Sequence, residues 1–175
     1  NGAAMRSCPI GLHPDIHFVK SFSKFQAELT HRDTGVLAAQ AVALSVYYFK
    51  NCLGFPSDLP KFLNKELSTD EIWGWHGSRV ASKTNLGLKT VKAAIQAVLT
   101  TRTFTDCLLK CNGYGGDTDS VAAIALGIAS VNQFHEKNIP HHLITGLEPQ
   151  SKANKMELIE LDIRLARKFK IYTKK

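Results

Sequence analysis

The sequence predicts an all-α fold. Apolar side chains recur at helical spacing along most of the chain, and the first two such stretches lack the alternation that is typical of a β-strand. The chain has 175 residues, of which 44% are hydrophobic, so it is long enough for one domain with a substantial core. No linker, low-complexity tract or internal repeat is evident. We therefore expect a single domain that covers residues 1–175.

Six helices are predicted in chain order. The first carries isoleucine, valine and phenylalanine at helical spacing, the second is rich in alanine, leucine and aromatic residues, and the other four carry apolar stripes. The predicted helical stretches are residues 16–29, 33–49, 88–99, 104–111, 121–131 and 156–169. Glycine and proline favour a break in the chain at the intervening residues 53–60, 74–77 and 139–140.

The stretch Gly115-Gly116-Asp117-Thr118-Asp119-Ser120 places two carboxylates and a hydroxyl at the glycine-rich start of the fifth helix. Magnesium prefers oxygen ligands and is usually held by one or two carboxylates, with waters and substrate oxygens completing its shell. Two carboxylates one residue apart repel each other unless a cation or a donor lies between them. A plain helix N-cap is the alternative, because Asp and Ser are favoured there for bonding the free amides. The pattern alone leaves both interpretations open.

The helix that begins at Asp117 contains several small residues, which let neighbouring backbones pack closely. Its alanines and glycine are Ala122, Ala123, Ala125, Gly127 and Ala129. We expect this helix to be buried and to present its N-terminus, with the two carboxylates, as a rigid platform.

Several separated blocks of the chain resemble the ADP-ribosylglycohydrolase family, which includes the dinitrogenase-reductase-activating glycohydrolases. These blocks are residues 1–6 and 8–12, Leu29-Thr30-His31, the aspartate loop, and residues 157–162 with 165–169. The resemblance runs essentially end to end. It implies a compact orthogonal helical bundle, and it implies hydrolysis of the glycosidic bond between ADP-ribose and a modified substrate with the help of two magnesium ions.

The resemblance also implies a role for each matching residue. Asp117 and Asp119 correspond to metal ligands that act in catalysis through a metal-bound water, and Ser120 stands where the family has a threonine ligand. His31 matches a histidine near the diphosphate, next to a helix start whose free amides would bind an anion. The residues expected to bind substrate are Asn1, Gly2, Ala3, His31, Gly115 and Gly116. Arg6 fits a phosphate contact or a structural ion pair equally well.

One part of the family pattern has no match here. The family supplies the other half of its metal site from a Thr-Asp-Asp segment, which does not occur in this sequence. We expect a fragment truncated at the N-terminus, one of two associating pieces, or a shortened relative that binds ADP-ribose without catalysis. The expected partners are accordingly ADP-ribose or an ADP-ribosylated protein, and a separate chain or segment that supplies the absent helices.

Composition limits the other classes of function. The net charge of +7 raises the question of nucleic acid, but the basic residues near the C-terminus are interleaved with acidic ones, as on an ordinary solvated helix. No apolar run approaches the ~18 residues of a membrane-spanning helix. The four cysteines need no disulfides and lack the paired spacings of zinc sites, so we expect reduced cysteines in a cytoplasmic protein.

Overall fold

The computed structural model describes residues 1–74, 77 and 86–145, together with 157, 159–161, 163–165, 167 and 168. The chain divides into two compact units, Asn1–Lys137 and Asn138–Lys175. Within the described ranges there are helices and no β-strand, and an isolated bridge joins Thr103 to Glu136. The predicted all-α fold is therefore confirmed. The single-domain organisation stays a prediction.

The described part of the first unit contains a series of α-helices joined by two short 3-10 turns. The α-helices are α1 (Gly2–Met5), α2 (Ile16–Glu28), α3 (Thr34–Lys50), α4 (Leu59–Leu67), α5 (Leu86–Thr100), α6 (Phe104–Gly113) and α7 (Thr118–Ala129). The 3-10 turns are Cys8–Leu12 and Pro56–Asp58. In the second unit α8 covers His141–Thr145. The described residues from 157 to 168 are helical, as predicted, and the rest of that predicted helix lies outside them.

The five predicted helices between residues 16 and 131 are confirmed, with their ends shifted by at most three residues. Helix α4 was missed because the sequence predicts a break over residues 53–60, where two prolines occur. Pro60 lies in the first turn of α4, where a proline costs no hydrogen bond because the amide there has no partner in the helix. The short helices α1 and α8 were also missed.

Helix α3 is the centre of the first unit. It contacts α1, α2, α4, α5 and α7. Eleven of its 17 residues are buried, and many of them are alanines that let the neighbouring helices approach closely. Leu44, in the middle of α3, is fully buried. Helices α1 and α7, whose first residues are discussed below, are therefore both held by packing against one rigid helix.

Helix α7 is buried, as predicted. Its residues Val121, Ile124, Ala125 and Ile128 are all 0% exposed, and the helix packs against α3, α5 and α6. It also contacts α1. The N-terminus of α7 consequently faces the first helix of the chain.

Helix α2 carries an exposed apolar stripe. Phe18, Phe22, Phe25 and Leu29 follow i, i+4, i+7 and i+11 spacing and expose between 40% and 70% of their surface. The ring centroids of Phe18 and Phe22 lie 5.2 Å apart, so the stripe is continuous.

None of the helices in the described part of the chain is both long and apolar enough to cross a membrane.

A pair of leucine substitutions separates the core from the surface. Leu44→Ala should lower the free energy of unfolding by about 2–5 kcal/mol, because it removes buried methyl groups and leaves a cavity. Leu109→Ala should change it by no more than about 0.5 kcal/mol, since Leu109 in α6 is 64% exposed. Urea unfolding followed by circular dichroism measures both. Equal losses in the two variants would contradict the central position of α3.

Candidate functional site

The aspartate loop joins α6 to α7 through two glycines in the left-handed region. Gly115 has a φ of 64° and Gly116 a φ of 77°, a conformation that is open to glycine and strained for most other residues. The amide of Gly115 donates to the carbonyl of Asn112 at 3.3 Å, which closes the turn at the end of α6. The chain thus reverses within a few residues and enters α7 directly after Asp117.

Asp117 occupies the N-cap position of α7, but its carboxylate does not bond the free amides of the helix. The side-chain amide of Asn1 donates instead to Oδ2 of Asp117. The other end of the Asn1 side chain, Oδ1, accepts a hydrogen bond from Thr90 Oγ1 on α5 at 3.2 Å. The side chain of Asp117 is therefore directed towards α1. The carboxylate of Asp117 therefore does not act as a side-chain N-cap of α7.

Asp119 and Ser120 lie in the first turn of α7 with very different exposure. Asp119 is exposed, whereas Ser120 is 7% exposed. In the described residues Ser120 Oγ contacts Met5 Sδ at 3.6 Å, and a thioether is a weak acceptor. Other buried serines bond a carbonyl one turn earlier, as Ser45 Oγ does with the carbonyl of Ala41 at 2.7 Å. The hydroxyl of Ser120 thus has no strong partner in the part of the chain that the structure describes.

The donor set around this loop fits part of a magnesium site. Across the described residues no three or more side chains of His, Cys, Asp and Glu come together as a metal site. The loop itself offers two carboxylates and a hydroxyl, which are the oxygen donors that magnesium prefers, and too few to enclose it. The cysteines do not build a zinc site in the described chain either. All four are free, and Cys107 and Cys111 are buried in α6.

The predicted ligand loop Asn1-Gly2-Ala3 forms the start of helix α1. The amide of Met5 donates to the carbonyl of Asn1, and that of Arg6 to the carbonyl of Gly2, each at 3.1 Å. Ala3 is 1% exposed, and its carbonyl accepts hydrogen bonds from Ser7 Oγ and Gln26 Nε2. Of these three residues, Asn1 is the one whose side chain reaches the aspartate loop.

A second cluster lies on α1 and the end of α2. Nη2 of Arg6 donates to Thr30 Oγ1 at 2.9 Å, and Thr30 Oγ1 lies 2.8 Å from Nδ1 of His31. Nε of Arg6 donates to Gln26 Oε1 at 3.4 Å. Within the described residues these partners of Arg6 are neutral oxygens, so the predicted ion pair of Arg6 with an interior carboxylate is not found there.

His31 lies beside the first turn of α3. A Cβ atom built on Gly35 would come within 2.9 Å of Cβ and 3.0 Å of Cδ2 of His31, so only a glycine allows this close approach. Burial lowers the pKa of His31 below its ordinary value, and the positive charges of the amino group of Asn1 and of Arg6 add to this effect.

The structure brings the two clusters together through α1. Asn1 and Met5 contact the aspartate loop, and Arg6 contacts the residue before His31. Two contributors, Thr90 and Thr30, were missed by the sequence analysis. Thr30 is part of the Leu-Thr-His block, and its position next to His31 could have identified it as a contributor to the site. Thr90 is fully buried and is a polar residue within the apolar stripe of α5, which is a weaker indication of a role in the site.

The two tryptophans of the chain are not part of the predicted site. Trp73 is a core residue, 2% exposed, whose Nε1 donates to Asn64 Oδ1 at 2.5 Å. Trp75 lies outside the described residues.

Comparison with known proteins identifies the family of this chain. An uncharacterised protein of Archaeoglobus fulgidus is 27% identical over 186 residues, an alignment that covers 95% of this chain and 60% of that protein. The chain thus spans well under two thirds of the length of this relative. The sequence profile of the ADP-ribosylglycohydrolases matches residues 1–173. The chain therefore belongs to the ADP-ribosylglycohydrolase family.

Proposed function

We propose that this chain carries part of the active site of a magnesium-dependent hydrolase that removes ADP-ribose from a modified substrate. The observation that carries the proposal is that, in this member of the family, two polar side chains of the aspartate loop do not make the usual hydrogen bonds of a helix start. Asp117 is the N-cap residue and yet does not cap α7, while Ser120 is a buried hydroxyl with only a weak partner in the described residues. Groups with an ordinary structural role would use these hydrogen bonds within the helix.

Asp117, Asp119 and Ser120 are the residues that would hold magnesium. When bound, the dication supplies a Lewis acid and lowers the pKa of a coordinated water. The protein contributes a carboxylate fixed in place by Asn1 and, on an exposed helix turn, a second carboxylate that is open to a ligand. The buried body of α7 keeps both on a rigid element, and the glycines Gly115 and Gly116 leave the loop backbone open to substrate.

We propose that the diphosphate of ADP-ribose lies on the other side of α1. His31 and Arg6 supply donors there, and the N-terminus of α3 adds the positive end of its helix dipole. Arg6 keeps its positive charge unpaired by any carboxylate within the described residues, so an anion would be attracted to it. Asn1 and Gly2 lie between this anion side and the aspartate loop and would follow the ribose, and the buried Ala3 would hold their backbone in place.

Two carboxylates and a hydroxyl hold one part of a two-metal site. We propose that further acidic ligands come from another segment or from a separate chain. The described residues alone should therefore bind magnesium weakly and turn over slowly. The same donor set also supports a second candidate, a relative that binds ADP-ribose without hydrolysing it.

We propose a cytoplasmic location for the protein, since its four cysteines are free.

The first test is a magnesium titration by calorimetry, with manganese electron paramagnetic resonance as a second readout. The chain should bind one ion with a roughly millimolar dissociation constant, because the loop leaves most of the coordination shell to water. Asp119→Asn should weaken binding by roughly tenfold or more, since the loss of a ligand exceeds the effect of losing an outer partner.

Asp106→Asn is the matched control for this titration. Asp106 is exposed and also lies in the first turn of a helix, α6, so it shares the local electrostatics of Asp119 without a second carboxylate beside it. Its substitution should leave ion binding unchanged. Equal loss in the two variants would show nonspecific attraction to surface charge and would contradict the proposed metal site.

The second test measures ADP-ribose binding and release. The chain should bind ADP-ribose more tightly with magnesium present than after addition of EDTA. At enzyme excess it should release ADP-ribose slowly from peptides modified on arginine or serine, and Asp117→Asn should abolish this release, since the proposed chemistry depends on that carboxylate.

Three results decide between the candidates. Binding of ADP-ribose without any release would favour the inactive relative. Rapid turnover by the isolated chain would refute the view that this loop is only part of the site. Failure of ADP-ribose to bind at all, with magnesium present and the protein folded by circular dichroism, would reject both candidates.

A further inference from the structure

We propose that Arg6 and Thr30 act together as positioning residues that hold His31 in one tautomer, with the ring proton on Nε2, so that the neutral imidazole donates a hydrogen bond to an anionic oxygen. The identity of that oxygen as part of a diphosphate rests on the proposed function. The fixing of the tautomer does not, because it follows from contacts within the chain.

The first step is the direction of the hydrogen bond between Arg6 and Thr30. A guanidinium has donors and no acceptor, so Nη2 of Arg6 must donate and Oγ1 of Thr30 must accept at 2.9 Å. The guanidinium is held in place by a second contact, from Nε to Oε1 of Gln26. The orientation of the Gln26 amide is fixed, because Nε2 donates to the carbonyl of Ala3 at 3.0 Å and to Ser7 Oγ at 2.8 Å, and a flipped amide would lose the hydrogen bond to the carbonyl.

The second step follows from the single proton of the threonine hydroxyl. Thr30 Oγ1 has two partners within the described residues, Arg6 and Nδ1 of His31 at 2.8 Å. Arg6 cannot accept. If Oγ1 also accepted from an Nδ1–H, the hydroxyl proton would have no partner in the described part of the chain, so we assign this proton to Nδ1. Nδ1 then accepts with its lone pair, and the proton of the neutral ring is on Nε2.

The position of the ring agrees with this assignment. The Cδ2 edge of His31 lies against Gly35 in the first turn of α3, where a side chain would meet Cδ2 at 3.0 Å. Nδ1 faces Thr30, so Nε2 is the nitrogen left for a ligand. A donor there lies beside the N-terminus of α3, where the positive end of the helix dipole favours an anion.

The surrounding charges keep the ring neutral. Burial, the amino group of Asn1 and Arg6 each lower the pKa of His31. Arg32 and Asp33, which follow His31 in the chain, are exposed to solvent. A second proton would also have to enter at Nδ1, where the hydroxyl proton of Thr30 already lies. His31 therefore acts as a neutral donor at pH 7, and it needs no change of protonation to bind.

The test is nuclear magnetic resonance of the ligand-free protein, labelled with nitrogen-15 in its histidines. Long-range proton–nitrogen spectra between pH 5 and 9 identify which ring nitrogen carries the proton. We expect His31 to be mainly the Nε2–H tautomer above its pKa. Thr30→Val keeps the shape of the side chain and removes the hydroxyl, and it should shift the tautomer ratio roughly fivefold to tenfold, the effect of about one hydrogen bond.

Two further variants keep the proposal falsifiable. Thr30→Ser keeps the hydroxyl and removes the methyl group, and it should retain the wild-type tautomer. A purely steric role of Thr30 would not explain this difference from Thr30→Val. Arg6→Met should shift the tautomer ratio and raise the pKa of His31, because it removes both the donor to Thr30 and a nearby positive charge. An Nδ1–H tautomer in the wild type, or an unchanged ratio in folded Thr30→Val, would overturn the proposal.

Addition of ADP-ribose separates this proposal from the proposed function. A change at Nε2 of His31, with the tautomer retained, would support both. An unchanged Nε2 signal at saturating ADP-ribose, in a protein whose free form shows the predicted tautomer and its loss in Thr30→Val, would refute the ligand role of His31 and support the positioning by Arg6 and Thr30.

Discussion

The hydrogen bond from the side chain of Asn1 to the carboxylate of Asp117 joins residues that are 116 positions apart. It connects the start of α1 to the start of α7. A partly buried carboxylate must find a donor, and the nearest ones would be the free amides of its own helix. Because Asn1 supplies the donor instead, the carboxylate leaves those amides uncapped. The rest of the candidate site depends on this choice, since it decides which groups of α7 remain open to a ligand.

Helix α1 can hold Asp117 in this way only because the protein holds α1. A helix of four residues is not stable by itself in water. Ala3 and Ala4 are buried, α1 packs against α3, and the carbonyl of Ala3 is tied to α2 through Gln26 and Ser7. The precision of the site therefore comes from the packing of α1 on α3. Loss of core packing around α3 would reach the aspartate loop through Asn1.

Regular helices could be predicted from the sequence, and short ones could not. A long apolar stripe such as that of α5 signals a helix by itself, whereas α1 and α4 depend on contacts with distant residues or begin with a proline. The aspartate loop could be found because its ligand types are adjacent in the chain. The contact of Thr90 with Asn1 spans 89 positions, and no local pattern predicts it. The roles assigned to the site residues all stay predictions, and these residues are Asn1, Gly2, Ala3, His31, Gly115, Gly116, Asp117, Asp119 and Ser120.

The two sides of α1 have opposite electrostatic character, and the partners of Arg6 keep them apart. An ion pair between Arg6 and a carboxylate of the loop would neutralise both charges and leave little attraction for either a cation or an anion. Thr30 and Gln26 hold the guanidinium with neutral oxygens, which fix its position and leave its charge. Asn1 does the same for Asp117 with a neutral amide. The site therefore keeps a fixed negative group at the start of α7 and a fixed positive group at the end of α1, an arrangement suited to a ligand that carries sugar hydroxyls at one end and phosphates at the other.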